Sequence, residues 1–426
     1  MTRSGARWAI DAIARFGGGG PRRIARSADV VVERAHGSYV YSSTGSRYLD
    51  VVSGFGVASL GHCHPHWVEA VVGQAHRLTV TPLHTNELAR YLAALSGVLP
   101  PGLAQTALYS GGAEAVEAAI RLTQTATGRS AVLTFREGFH GKTVGVRYAG
   151  DPCSPEAQSL GSDWLRTALF PACELHDAVS YGRCEESAVE ALAAIGERED
   201  RDAIGTVLVE PVLGTAGNIP PRRRFLSELR QLCDERDWLL VLDESITGFG
   251  RTGSMFAFEH FGLEPDVVIL GKGLGGGFPL SAVCASRDLW EASALRTPSA
   301  TSSSYGGNPL ACAAGLATLE IVTGEDFLRQ VRRVAGHAAV RLCELADASP
   351  SVSRPRGLGL MLGFDIVDAQ TAELATAARC ASVFRECRDR GLLILADVPR
   401  VRLSPPLTLT VAEADELFDI LMEVLA

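Results

Sequence analysis

The chain has 426 residues, 46% of them hydrophobic and 21% charged, and its formal net charge is −9 at pH 7. This apolar content excludes a disordered chain, and no apolar run approaches the roughly 20 residues needed to cross a membrane. The acidic balance argues against a surface that coats nucleic acid, so we expect neither nucleic acid nor membrane as a partner. The length implies more than one domain, because single cores stop growing near roughly 250–300 residues.

The predicted elements begin with an amphipathic segment at residues 8–16, followed by a glycine break and strand-like alternation at residues 30–41. From residue 51 to about 300, short apolar runs alternate with helical stretches such as 113–125. The runs that read as strands are 106–109, Ala131–Phe135, 206–209, 238–242, Val267–Leu270 and Ser281–Ala285. Such runs are typical of strands buried on both faces, and their alternation with helices predicts an α/β fold with a mostly parallel, doubly wound sheet.

The C-terminal part of the sequence changes to longer helices and then to a mixed segment. Helices are predicted at 310–322 and 327–346, and strands near 360–366 and 401–403. We therefore predict a large α/β domain at residues 51–300 and a smaller α+β domain built from residues 1–50 and 301–426. The ten cysteines form no CxxC pair and the N-terminal residues lack a secretory apolar stretch, so we expect a cytoplasmic protein with reduced thiols.

The first chemical motif is a glycine turn between a predicted strand and a predicted helix, Ser110-Gly111-Gly112-Ala113. Glycines let a backbone approach a ligand closely, and the start of a helix offers free N–H groups and the positive end of its dipole. These properties suit a phosphate group. A tight turn from strand to helix also requires glycine, so the motif by itself leaves both interpretations open.

The second motif is a pair of carboxylates, Asp243 and Glu244, at the end of a buried strand. Buried carboxylates are unfavourable unless each has a partner. Asp243 could accept a hydrogen bond from a cationic ligand nitrogen, a contact that strengthens away from water. A helix cap or a metal ligand would use the same residue type.

The third motif contains one of the two lysines among the 40 basic residues, Lys272, directly after the strand Val267–Leu270 and among five glycines. A lysine amine can lose its proton and attack a carbonyl carbon, whereas arginine stays charged. Partial desolvation at this position would favour the neutral, nucleophilic form. A phosphate turn, a carboxylate for a ring nitrogen and a desolvated lysine together predict a site for pyridoxal 5'-phosphate.

Three segments of the sequence, 243–253, 265–266 and 271–279, resemble the signature of class III aminotransferases, the ornithine, GABA and ω-amino-acid type. The resemblance continues through 61–65, 110–117, 139–141, 210–211, 304–309, 401–402 and 405–406. It therefore extends from about residue 50 to residue 407. It implies a fold-type I enzyme that depends on pyridoxal phosphate.

The resemblance assigns roles to individual positions that hold the cofactor. Lys272 matches the lysine that holds the cofactor as a Schiff base, the internal aldimine, and Asp243 matches the carboxylate that keeps the pyridine nitrogen protonated. Phe139 falls where an aromatic ring stacks on the pyridine. The remaining positions expected to bind the cofactor are Gly111, Gly112, Ala113, His140, Glu210, Ser245, Ile246 and Ser304.

The resemblance also implies how substrate and subunits meet. Arg402 matches an arginine that binds the substrate carboxylate, and Glu210 matches the glutamate that can pair with it. Phe55 and Lys142 are further expected substrate-binding positions, because relatives place an aromatic residue and a carboxylate-binding arginine there. Ser304 aligns with a threonine that reaches the phosphate from the neighbouring subunit, which implies a homodimer with active sites at the interface.

Three positions depart from the family pattern, and a histidine cluster needs a separate interpretation. Ser245 replaces a valine that packs on the cofactor, Ile246 replaces a common glutamine, and Lys142 offers a compact charge where arginine would offer a fork. His140 is expected to structure the turn beside Phe139. The histidines of segment 62–66 match a strand-to-helix turn in the family, and we predict no metal site.

These observations predict an aminotransferase that moves an amino group from an amino donor, L-glutamate or another amino acid, to a carbonyl acceptor. Two alternatives stay open at this point. A racemase, decarboxylase or carbon–carbon bond-forming enzyme could share the scaffold and cofactor, and the unusual Ser245 and Lys142 keep that alternative in view. A non-catalytic protein derived from such an enzyme is the other, although it would have little reason to retain Lys272 and Asp243.

Overall fold

The computed structural model describes residues 3–16, 30–103, 105–151, 164–172, 189–197, 200–222, 224–395 and 399–425. Its contacts divide the chain into two compact units. The smaller unit contains the residues up to Pro65 and those from Arg329 onward, and the larger unit contains most of the chain between His66 and Leu328. The domain limits predicted from the sequence, at residues 50 and 300, remain predictions.

The strands are numbered here in chain order over the described ranges. They are β1 (Val32–His36), β2 (Tyr39–Ser42), β3 (Arg47–Asp50), β4 (Gln105–Tyr109), β5 (Ala131–Phe135), β6 (Leu165–Ala168), β7 (Ile204–Val209), β8 (Leu239–Asp243), β9 (Val267–Leu270), β10 (Ser281–Ala285), β11 (Val352–Leu358), β12 (Met361–Ile366), β13 (Leu392–Leu393) and β14 (Arg400–Leu403). The α-helices follow the same convention. They are α1 (Arg3–Phe16), α2 (Pro65–Ala75), α3 (Asn86–Val98), α4 (Gly112–Thr127), α5 (Val189–Gly196), α6 (Phe225–Arg236), α7 (Arg287–Ala292), α8 (Pro309–Val322), α9 (Phe327–Ala348), α10 (Ala377–Asp389) and α11 (Val411–Leu425).

The larger unit is built on a sheet whose described strands run in the order β4-β10-β9-β8-β7-β5-β6. Strand β10 is antiparallel to both of its neighbours, and the strands from β9 to β6 are parallel to one another. The predicted α/β class with a mostly parallel sheet is therefore confirmed. The strand limits differ by one or two residues from those predicted, since β7 begins at Ile204 and β8 ends at Asp243.

Both faces of this sheet are covered, which explains why its strands lack alternation between apolar and polar residues. In β8, Leu240 and Leu242 belong to one hydrophobic cluster, and Val241 between them belongs to the cluster on the other face. Helix α4 contributes Val116 and Ala119 to the Val241 side, and both side chains are buried. Side chains alternate between the faces of a strand, so a strand covered on both sides must be apolar throughout.

The smaller unit contains two sheets, β1-β2-β3-β13 and β11-β12-β14. A buried ion pair links the strands of the second sheet, with Arg356 Nη1 at 2.8 Å from Asp365 Oδ1. In the same unit, the Tyr39 hydroxyl donates to Glu416 over 2.7 Å, which joins β2 to α11. Within the described ranges, no helix combines the length and apolarity required to cross a bilayer.

Candidate active site

The carboxyl ends of four parallel strands, together with β4, bring most of the predicted cofactor-binding residues to one edge of the large sheet. Strand β4 leads into the glycine turn before α4, and β5 leads into Phe139 and His140. Glu210 follows β7, Asp243 ends β8 and Lys272 follows β9 by one intervening glycine. Ligands of open α/β sheets bind beyond this edge of the strands.

The centre of the site is a buried pair formed by His140 and Asp243. His140 Nδ1 donates to Asp243 Oδ2 over 2.8 Å, and the two side chains are only 1% and 4% exposed. Burial by itself would raise the pKa of Asp243, but the hydrogen bond and charge of His140 outweigh it and lower that pKa below its usual value. The backbone N–H of Ser245 donates to the other carboxylate oxygen over 3.1 Å. Asp243 is therefore held as a buried anion.

Glu210 is a second buried carboxylate, and its role in the fold is to fix two backbone segments. Its oxygens accept from the N–H of Phe139 at 2.9 Å and from the N–H of Gly214 at 3.1 Å. Burial raises its pKa, and the charge of Asp243 adds to that, while His140 opposes it. Glu210 thus sets the position of the segment that carries Phe139.

The glycine turn before α4 presents free backbone donors. Glu114 Oε2 accepts from the N–H groups of Ser110 and Gly111, at 3.2 and 2.7 Å. The next two amides, of Gly112 and Ala113, have no hydrogen-bond partner among the residues that the structure describes, as expected for the first turn of a helix. They are available to an anion, which the helix dipole also favours.

Close backbone approaches join this turn to the neighbouring strand ends. A Cβ placed on Gly141, whose φ is +135°, would lie 2.5 Å from the Cβ of Ala113. The Ser245 hydroxyl lies 3.3 Å from the place of a Cβ on Gly271 and 4.0 Å from that on Gly112. Any side chain at Gly141 would therefore displace the turn, while Ser245 fills the space between the turn and Gly271.

Lys272 lies within electrostatic reach of the buried acidic groups. Its positive charge acts to lower the pKa values of Asp243 and Glu210, as well as that of His140. The residue is half-buried, and its backbone has a left-handed φ of +42°. Such a conformation is unfavourable for a residue other than glycine and is often retained at functional sites.

Ile246 and Ser245 complete this side of the site. Ile246 is 8% exposed and packs against Gly214, where a Cβ would lie 3.0 Å from the isoleucine Cγ2. Gly214 also approaches Glu210 Oε2, at 3.4 Å from its Cβ position. The isoleucine therefore shields the Glu210 side of the site from water, which a glutamine at this position would not do to the same extent.

These groups fit pyridoxal phosphate. The free amides at the start of α4 suit a phosphate, and an ionised carboxylate suits a protonated ring nitrogen. Lys272 supplies an amine at the next strand end, and its charge is felt by Asp243. The half-buried ring of Phe139 is held by its amide beside the anion site.

Four predicted positions are not among the strand-end residues described above: Phe55, Lys142, Ser304 and Arg402. Ser304 is exposed and lines a cavity of about 850 Å³ with Leu83 and His84, whose lining includes none of the strand-end residues. Lys142 is exposed. Phe55 and Arg402 belong to the smaller unit, Phe55 in a turn after β3 and Arg402 opposite Gly363 in the sheet.

Some contacts were not predicted from the sequence. The hydrogen bond from His140 to Asp243 joins residues 103 positions apart, so no local pattern announces it. Glu114 carries a usable signal, because an acidic residue three places after the residue that precedes a helix is typical of a capping box. Gly214, which contacts both Glu210 and Ile246, had no signal beyond being a glycine.

The histidines of segment 62–66 have protein partners. His62 Nε2 donates to Asp50 Oδ2 over 2.9 Å, and His66 Nε2 lies 2.7 Å from Glu320 Oε2. The described residues contain no cluster of three or more histidine, cysteine or acidic side chains arranged to hold a metal ion.

Comparison with known proteins identifies the family. A family model described as aminotransferase class-III matches residues 23–425. The acetylornithine aminotransferase of Bacillus subtilis (strain 168) is 38% identical over 400 residues, covering 93% of this chain and 95% of that protein. The 2-aminoadipate transaminase of Pseudomonas putida is 33% identical over 410 residues, covering 93% and 96%.

A solved structure agrees with these matches. An amine transaminase from an uncultivated Pseudomonas species, determined in its PLP-bound form, gives a TM-score of 0.82 at 26% identity and covers 96% of this chain and 97% of its own. The comparisons favour transamination over racemisation, decarboxylation or carbon–carbon bond formation, and they confirm the prediction of an enzyme. The chain belongs to the class-III aminotransferases of fold type I, and its cofactor is pyridoxal phosphate.

Proposed function

We propose that the strand-end residues hold the cofactor in the roles their positions suggest. Lys272 Nζ forms the covalent link and Asp243 faces the ring nitrogen. The amides of Gly112 and Ala113 bind the phosphate, and the ring of Phe139 packs on the pyridine. The free amides of the α4 turn and the buried anion of Asp243 support this assignment.

The chemistry then follows from the charge state of these side chains. Bound pyridoxal phosphate supplies the carbon that receives the amino group and a protonated ring that withdraws electrons from the substrate. Asp243 keeps that ring nitrogen protonated, because His140 holds the carboxylate ionised. The amine of Lys272, once neutral, would move a proton from the amine-bearing carbon of the donor to the cofactor, and in the second half-reaction it would move a proton in the opposite direction.

The substrate is an amino acid whose carboxylate binds to Arg402. Glutamate is the expected donor in one half-reaction, with Arg402 alternating between the substrate and Glu210. Lys142 offers a second positive charge, and Phe55 lines the substrate channel. The names of the relatives suggest N-acetylornithine and 2-aminoadipate as the first partners to try. N-acetylornithine has its free amine at the end of the side chain, remote from the carboxylate that an arginine would bind.

The active enzyme is a homodimer in which Ser304 serves the partner's site. Large apolar side chains support this, because Leu83 is 75% exposed, Val80 48% and Tyr305 66%. The first two line the same cavity as Ser304, and Tyr305 follows Ser304 in the chain. Leu83→Asp should convert the dimer to a monomer in sedimentation velocity, whereas Leu169→Asp, at a leucine that is 65% exposed and lies outside that cavity, should not. A monomeric wild-type enzyme would contradict the proposal.

The enzyme works in the cytoplasm. Support comes from the cysteines that the structure describes, which are free thiols, as is usual in the reducing cytosol; Cys233, Cys284 and Cys312 among them are buried. Burial raises the pKa of each to about 12, so these thiols stay protonated and unreactive at neutral pH.

The observation that carries the proposal is the charge of Lys272 beside the buried Asp243–His140 pair, and the two lysines of the chain provide a direct test. Borohydride reduction of the holoenzyme should fix the cofactor to the peptide that contains Lys272. Lys142→Arg should retain this mass adduct and Lys272→Arg should lose it. An adduct on Lys142, or none in the wild type, would overturn the assignment.

The substrate assignment needs a separate measurement. The wild-type enzyme is mixed with glutamate, N-acetylornithine, ornithine or 2-aminoadipate, and the loss of visible cofactor absorbance is followed together with formation of the keto or aldehyde product. We expect at least one donor besides glutamate to bleach the cofactor with stoichiometric product. Unchanged absorbance with every donor would contradict transamination of these substrates.

A further inference from the structure

The turn that follows β3 has an unusual backbone. Four successive residues, Ser53, Gly54, Phe55 and Gly56, have positive φ values of 48°, 62°, 67° and 80°. Residues other than glycine visit this left-handed region singly, because their Cβ comes too close to the following carbonyl. A run that includes a serine and a phenylalanine persists only where surrounding contacts hold it.

The side chain of Asp50 makes the contacts that hold this turn. Its Oδ1 accepts from the backbone N–H of Val52 and of Ser53, both at 3.0 Å, and its Oδ2 accepts from His62 Nε2 at 2.9 Å. Asp50 is 7% exposed and Ser53 is fully buried. One carboxylate therefore joins the end of β3, the start of the turn and the segment that returns after it.

His62 is itself anchored by the backbone. Its N–H and C=O exchange hydrogen bonds with those of Gly37, at 2.8 and 2.9 Å. Gly61 approaches the turn between β1 and β2 so closely that a Cβ on it would lie 3.0 Å from Gly37 O. Within the turn, the N–H of Phe55 donates to Val52 O over 2.8 Å. The imidazole thus contacts Asp50 from a segment that is itself held by two backbone hydrogen bonds.

We propose that Asp50 and His62 are positioning residues that lock the left-handed turn and, through the fixed backbone of Phe55, set the discrimination among amino donors. The inference rests on the proposed function, in which the Phe55 ring lines the substrate channel. Releasing the carboxylate lets Phe55 return to an ordinary backbone conformation, which redirects its Cα–Cβ bond and moves the ring.

The test combines backbone hydrogen exchange with donor kinetics on the holoenzyme. Asp50→Ala removes the carboxylate, and His62→Leu removes only its anchor. His62→Gln retains an N–H donor and is the conservative rescue. His66→Leu is the matched control, because it breaks another histidine–carboxylate pair, between His66 in α2 and Glu320 in α8, that makes no hydrogen bond to the turn. Phe55→Ala removes the ring and leaves the lock intact.

We expect Asp50→Ala and His62→Leu to speed exchange of the amides of residues 52–58 by about tenfold or more, as loss of a buried hydrogen bond would. Both variants should reduce kcat/KM for the preferred donor by about tenfold through KM, and reduce discrimination between large and small donors. His62→Gln and His66→Leu should behave like the wild type. Adding Phe55→Ala to His62→Leu should cause no further loss, because both changes act on the same ring.

Unchanged exchange in both lock variants would show that the turn does not depend on them and would overturn the proposal. Faster exchange with unchanged donor discrimination, or effects fully additive with Phe55→Ala, would also overturn it. If the wild-type enzyme transferred no amino group from any donor, the proposed function would fail and the discrimination would fail with it. The exchange measurement needs no turnover, so it would still support or overturn the lock on its own.

Discussion

Removing the imidazole of His140 should disable the site without touching Lys272. His140→Leu leaves Asp243 buried. Among the described residues its remaining hydrogen-bond donor is the N–H of Ser245, and the charge of Lys272 still favours the ionised carboxylate. The pKa of Asp243 should rise, because burial is then opposed by fewer favourable interactions. A carboxylate that becomes protonated can no longer keep a ring nitrogen charged.

The magnitude follows from burial and contact distance. Breaking a buried ion pair by removing one partner costs about 3–5 kcal/mol of unfolding free energy, and the lower end applies because Asp243 retains one donor. A hydrogen bond to a charged group contributes about 1.5–3 kcal/mol, which corresponds to a fall in kcat of about 10- to 150-fold. His140→Asn places a neutral N–H near the position of Nδ1, so it should recover part of both losses.

The pH dependence gives the prediction a direction. Burial alone would lower the pKa of His140, but the hydrogen bond and charge of Asp243 raise it above 6.5, and the same contact lowers the pKa of Asp243 below 3.8. The stabilisation that comes from the raised pKa of His140 is fully present below pH 6.5 and is lost as pH rises through that raised pKa. The stabilisation that comes from the lowered pKa of Asp243 is present above pH 3.8 and is lost as pH falls through that lowered pKa. The unfolding free energy of the wild type should therefore exceed that of His140→Leu by the largest amount between pH 3.8 and pH 6.5.

The assay is urea unfolding of both proteins from pH 4 to pH 9, with single-turnover rates for the donor half-reaction at pH 7. His66→Leu is the control, since its pair with Glu320 is half exposed and should contribute less than about 1 kcal/mol. A His140→Leu enzyme with wild-type kcat, or a stability difference that does not change with pH, would refute the role assigned to this pair.

Three further perturbations test other parts of the site. Burial raises the pKa of Glu244 to about 7 from its usual value of 4.5, so the unfolding free energy should fall by about 3 kcal/mol as pH rises from 4.5 to 7. Glu244→Gln should abolish that pH dependence in urea titrations, and an unchanged dependence would contradict the prediction. Gly141→Ala should weaken cofactor binding at least about tenfold in equilibrium dialysis, because its Cβ would meet Ala113. The control is Gly128→Ala at the other end of α4, where the space is open; it should cost only about 1–2 kcal/mol of stability and leave cofactor binding intact. Ser245→Val should tighten cofactor binding by about fivefold, since it adds apolar surface at the site, and a weaker complex would show that the hydroxyl itself binds the cofactor.

The sequence by itself determined the class of fold and the strands that carry the candidate site, and it predicted Lys272 as the reactive amine. Apolar runs such as Val267–Leu270 predict buried strands because a strand covered on both faces has no polar side. Lys272 stands out because only two of the 40 basic residues are lysines, and its place after a buried strand puts it at the ligand-binding edge. These signals lie within short stretches of sequence, so they can be recognised without knowing the tertiary structure.

Only the tertiary structure decided which side chains pair. The donor to Asp243 comes from His140 after a different strand, and Glu210 holds the amide of Phe139 across 71 positions in the sequence. The left-handed turn around Phe55 has no signature beyond its two glycines, because the contacts that hold it come from Asp50 and His62. Short stretches of sequence determine the preference for helix or strand and the tendency to be buried. The partner of a buried charge depends instead on which strand ends the fold brings together.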